Sequence, residues 1–113
     1  MNKDEVLNMP AGREMDVLIA KEIFGNVKNS WDWEFTLPSY STDNSAAYDL
    51  EAEIFEKGFA VEYCNSLIYI INKEQSLRVV GDWVQYYYIS HATAHEKCRA
   101  ALLAVVPVTE GGV

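Results

Sequence analysis

His91, His95 and Cys98 stand four and three residues apart, a spacing that would align them on one helix face, and all three side chains can ligate zinc. A competing pattern claims the same stretch. Thr93 and Glu96 form a T-x-x-E capping box, which starts a helix there, leaves His91 ahead of it and sets Cys98 on an apolar stripe with Ala101, Leu102 and Val105. No metal site is expected from this group. Cys64 would need a paired base and a lowered pKa to act as a nucleophile, and no motif places either histidine beside it. No glycine-rich phosphate loop, nucleophile elbow or paired-histidine zinc motif occurs, so no catalytic residue and no cofactor is expected.

Binding chemistry has better candidates. The run Tyr40-Ser41-Thr42-Asp43-Asn44-Ser45 opens a helical pattern, and free backbone amides with hydroxyls at a helix start suit an anionic or ribose-like group. Helix capping accounts for the same residues, and Asp43 would oppose a phosphate unless it bonded a hydroxyl. Residues 26–42 lack any period yet hold Trp31, Trp33, Phe35 and Tyr40, which would either lid a core or stack a flat ligand. Arg13 and Arg99 lie near the starts of their helices, where a cation opposes the helix dipole, so each needs a reason. An ion pair with Glu14 or Glu96 is one, and an anionic ligand is the other. Asp49, Glu51, Glu53 and Glu56 read as the solvated face of a helix rather than a paired-carboxylate site.

These residues need elements to position them. Asn2 with Glu5 suggests a single capped turn through Val6 and Leu7, interrupted by Pro10. Residues 9–25 read as a helix with Met15, Leu18, Ile19 and Ile23 at helical spacing and Gly25 as its stop. Residues 41–58 read as a second, with Ala47, Leu50 and Ile54 as its stripe and Lys57-Gly58 as its end. Alternation then predicts strands at 59–63 and 67–71 joined by a Cys64-Asn65-Ser66 turn, a brief one at 77–80 and a strong one at 83–90. Large apolar groups on both faces of these strands predict a covered sheet. The expected fold is α+β: an alpha/beta/alpha sandwich, with an antiparallel sheet of three or four strands flanked by about three helices. One domain is expected over 1–107, with a frayed tail at 108–113.

The 113 residues suffice for one core, and half of them are hydrophobic, which is a folded composition. A formal charge of −8 repels phosphate backbones and anionic lipid heads, so neither a nucleic acid polymer nor a membrane is an expected partner. A small anion remains open to a local pocket. Two cysteines are too few for a disulfide scaffold, and the polar opening Met1-Asn2-Lys3-Asp4-Glu5 is unlike a secretory leader, so a cytoplasmic location is expected. Trp83 with Tyr86, Tyr87 and Tyr88 offers more aromatic surface than so small a core needs, which points to a homo-oligomer.

Three stretches carry a resemblance: Pro10-Ala11-Gly12-Arg13-Glu14-Met15-Asp16, Tyr40-Ser41-Thr42-Asp43 with Ala46-Ala47, and Cys98-Arg99-Ala100-Ala101-Leu102-Leu103-Ala104. In order and spacing they resemble the phage ABA sandwich domain family. The resemblance implies an alpha/beta/alpha sandwich encoded by a phage or prophage and acting in the host cytoplasm, with no established activity. Residues 26–38 and 65–81 match no pattern of that family. Small phage proteins of this size include sponges that sequester nucleotide-derived immune signals, and by that analogy the expected function is non-enzymatic, anti-defence binding of such a signal. Trp31, Trp33 and Tyr40 would stack it, Ser41, Thr42 and Asp43 would contact its polar groups, and Arg13 and Arg99 would face its charge. The alternative is a protein-interaction module docking through its acidic helix face and the Trp31 to Phe35 loop. A hydrolase of such signals is the third reading.

Overall fold

The computed structural model describes residues 2–25, 37–74, 87 and 89–106. Among them stand five helices and no sheet: α1 (Lys3–Asn8), α2 (Arg13–Glu22), α3 (Asn44–Glu56), α4 (Ala60–Glu74) and α5 (Ala94–Val105). The expected alpha/beta/alpha sandwich is therefore wrong. Where two strands and a hairpin turn were predicted, α4 runs unbroken, and Tyr87, Ile89 and Ser90 from the end of the strong strand are helical as well. The strand predicted at 77–80 and residues 83–86 and 88 of the last one lie outside the described residues, as does the 108–113 tail.

Burial shows which period governs 59–71. Tyr63, Leu67, Ile70 and Ile71 are buried with Phe59 packed at the edge, a spacing of four, four, three and one that makes a helical stripe. An alternating strand would have buried Val61 with Phe59 and Tyr63, and Tyr69 with Leu67 and Ile71. Val61 is instead 69% exposed, and Tyr69 stands in water with Lys3 Nζ 4.0 Å above its ring. The β-branched and aromatic residues favour strand only weakly, and burying one continuous apolar face outweighs that preference.

Most helix ends follow the sequence, although α2 spans Arg13–Glu22 rather than the expected 9–25 and starts at Gly12. Asn2 Oδ1 accepts from the Glu5 amide at 2.8 Å and Asp43 Oδ1 from the Ser45 amide at 2.9 Å. Thr93 and Glu96 form the full reciprocal capping box, at 3.1 and 2.8 Å. Between α3 and α4 the Gly58 amide donates to Phe55 and the Phe59 amide to Ile54, the paired bonds of a Schellman turn. Gly58 supplies the positive φ of 87° that this turn requires.

α5 is the hub, packed against all four other helices and most extensively against α4. Cys98, Ala100, Ala101 and Leu102 have no exposed surface, and Ala94, Glu96 and Arg99 are buried too. Small residues at its centre let the neighbouring backbones approach closely, and a helix buried nearly all round is what a central element should be.

Candidate functional site

The junction of α2 with the loop before α3 is held by several side-chain hydrogen bonds. Asp16, in the first turn of α2, is 3% exposed, and its Oδ1 accepts both the Ser41 amide at 2.8 Å and the Ser41 hydroxyl at 2.7 Å. Ser41 Oγ in turn accepts the Gly12 amide at 2.9 Å. Gly12 is the N-cap of α2, with a φ of 148° that disfavours a side chain. A serine from another part of the chain thus serves a helix start that has no capping side chain of its own. Tyr40 faces inward and stacks on Phe24, with ring centroids 5.1 Å apart. Burial first, then the charges of Asp49 and Asp16, raises its phenol pKa.

Each residue expected to contact a ligand can now be located. Ser41 and Tyr40 are buried in this junction, where their polar and aromatic surfaces serve the fold. Thr42 is exposed, and Asp43 is exposed while capping α3. Arg13 reaches the same loop through a 3.2 Å bond from Nη1 to the Leu37 carbonyl. Arg99 belongs elsewhere, donating from Nη1 to the Leu7 carbonyl at 3.1 Å near the end of α1. Trp31 and Trp33 lie outside the described residues.

His91 stacks on Tyr87 at 4.2 Å with Nδ1 2.8 Å from the Tyr87 carbonyl, while His95 Nε2 lies 2.7 Å from the Met9 carbonyl and carries its proton there. Cys98 is buried, and desolvation with the neighbouring Asp16 charge pushes its thiol up to about 12, so it is protonated at neutral pH. Among the described residues no group of three or more His, Cys, Asp or Glu is disposed to hold a metal ion. No helix among them is long and apolar enough to cross a membrane.

Two concavities are lined by the described residues. The first, about 270 Å³, is lined by Leu7 and Asn8 from the end of α1, Ile70 and Lys73 from the last turns of α4, and Arg99 from α5. Lys73 is exposed at its rim and Arg99 is 5% exposed at its base. Both cations also suit the partial negative charge where α1 and α4 end. The second, about 230 Å³, is an open groove on α3 lined by Tyr48, Glu51, Ala52 and Phe55.

Sequence reasoning missed Ile70 and Lys73 because the helix that carries them was read as strands and a loop, and Asn8 because only packing brings the end of α1 to that helix. It also missed Tyr48 and Phe55, which their seven-residue spacing on the side of α3 away from Leu50 and Ile54 could have shown. No protein-family model matches the chain, and neither a curated protein nor a solved structure matches it.

Proposed function

We propose that the chain is a non-enzymatic binder of a small nucleotide-type anion, a phage accessory protein that sequesters such a signal in the host cytoplasm. Its phosphate would sit in the cleft lined by Leu7, Asn8, Ile70, Lys73 and Arg99. The observation that carries this reading is the meeting of two cationic side chains, one of them buried, in one concavity of a chain with net charge −8. A guanidinium offers a rigid fork of donors suited to phosphate oxygens, and its recessed position strengthens the attraction over that of a solvated pair. Lys73 adds a mobile point charge at the rim, Asn8 an amide donor, and Leu7 with Ile70 an apolar wall for a sugar or base edge. The cluster at Arg13 and Tyr40 to Asp43, first expected to hold the ligand, keeps only Thr42 and Asp43 beside Arg13 as exposed groups.

Calorimetry and thermal shift with inorganic phosphate, then with mononucleotides, cyclic dinucleotides and ADP-ribose, test the reading. Binding is expected to raise the melting temperature, to weaken about tenfold in Lys73→Ala, and to return the ligand intact after denaturation. No shift with any of these anions would remove the reading, and recovery of a cleaved ligand would turn it into a hydrolase.

A further inference from the structure

The outer face of α3 carries a second stripe. Tyr48, Ala52 and Phe55 recur at helical spacing on the side away from the core, and the two rings are 68% and 53% exposed. Single exposed apolar residues are ordinary, but two large rings aligned on the walls of one groove form a patch that folding does not explain. The groove is also stiffened from beneath. Glu51 Oε2 accepts the Tyr63 hydroxyl of α4 at 2.6 Å, its Oε1 pairs with Lys97 Nζ of α5 at 3.2 Å, and the Phe55 ring meets Tyr63 edge-on at 6.1 Å. Carboxylates adjoin it in sequence and on the next helix: Asp49 and Glu56 are exposed next to Tyr48 and Phe55, and Glu62 is exposed in the first turn of α4. Lys57 at the end of α3 pairs with Glu53 at 3.8 Å, and Lys97 of α5 with Glu51.

We propose that this groove docks a basic amphipathic helix of another protein. The apolar side of that helix covers Tyr48, Ala52 and Phe55, and its lysines or arginines meet Asp49, Glu56 and Glu62, with their stems lying over the ring faces. Charge selects this occupant. An acidic partner or a nucleic acid would meet the carboxylates of a chain already at −8. A second copy in a two-fold contact would set Asp49 and Glu56 against their own images.

The test uses the full chain and a fluorescent peptide of about 15 residues built only of Leu and Lys in helical register, long enough to form a helix on binding. A peptide of the same composition in scrambled order, which keeps the charge and loses the stripe, is the control. The ordered peptide is expected to bind at least about tenfold more tightly than the scrambled one by fluorescence anisotropy. Phe55→Ser and, independently, Ala52→Arg are expected to remove that advantage, while Asp49→Asn with Glu56→Gln weakens binding and flattens its salt dependence. Equal binding of the two peptides, or full binding by Phe55→Ser and Ala52→Arg, would overturn the proposal. So would light scattering that shows a dimer broken by Phe55→Ser, since the face would then be a contact between copies.

Discussion

The cleft at Arg99 and the groove at Phe55 are of similar volume, yet they are built in opposite ways. Three helices meet at the cleft, and its base is a guanidinium tied to the Leu7 carbonyl of a helix distant in sequence. The groove is lined by one helix, its rings stand largely in solvent, and its neighbours reach it through the floor carboxylate and the edge contact of Tyr63 with Phe55. One is cationic and recessed, the other aromatic and acid-rimmed. The cleft cannot be altered at its base without disturbing the fold, whereas the groove can be rewritten at nearly constant stability. Residues selected for binding alone tend to have that second character.

Substitutions can break this contrast. The largest effect is expected from Arg99→Ala, which removes a buried side chain and leaves the Leu7 carbonyl without its donor. Urea unfolding followed by circular dichroism is expected to show a loss of about 2–4 kcal/mol. A loss below about 0.5 kcal/mol, the scale of an ordinary surface change, would place the cleft on the same footing as the groove.

Tyr63→Phe comes next and probes the groove's floor. Removing the hydroxyl that holds Glu51 is expected to cost about 1 kcal/mol at neutral pH. It also changes the alkaline limb of the stability profile. Burial, and then the bond to Glu51, raises the Tyr63 phenol above the ordinary 10, and burial raises Cys98 from 9 to about 12. Both groups hold their protons more tightly when folded. Their stabilisation is therefore complete below the unfolded values and is lost as pH rises past them, at about 1.4 kcal/mol per pH unit for each. Unfolding free energy is expected to fall from about pH 9 and more steeply above about pH 10. In Tyr63→Phe the part above about pH 10 becomes shallower, with the raised Tyr40 phenol still contributing there, while the Cys98 part remains.

The smallest effect belongs to Phe55→Ser, expected within about 0.5 kcal/mol of the parent in the same unfolding assay. A larger loss would mean that the exposed ring supports the core through Tyr63, and the groove would lose its independence.

Four of the five described helices were legible in the sequence, three because their ends are written in local chemistry and α2 through its apolar stripe. Asn2, Asp43, Thr93 with Glu96, and Gly58 each act within a few residues of where they stand. The helix α4 was not legible, since residues 59–71 satisfy both periods and only the exposure of Val61 and Tyr69 decides between them. The site residues divide on the same ground. Arg99 stood out as a cation set against a helix dipole, but its partner, the Leu7 carbonyl, is 92 positions away and no spacing rule reaches it. Ser41 stood out as a helix-start residue, and its service to the opposite helix through Asp16 is likewise a product of packing.

That last bond has a consequence for how the molecule opens. The Ser41 amide lies outside every helix, where a backbone proton usually exchanges with deuterium within moments, yet it donates to a carboxylate sealed from water. It can exchange only when α2 parts from the loop leading into α3. A single amide in irregular backbone thereby acts as a gauge of the cooperative unit that joins the two ends of this junction.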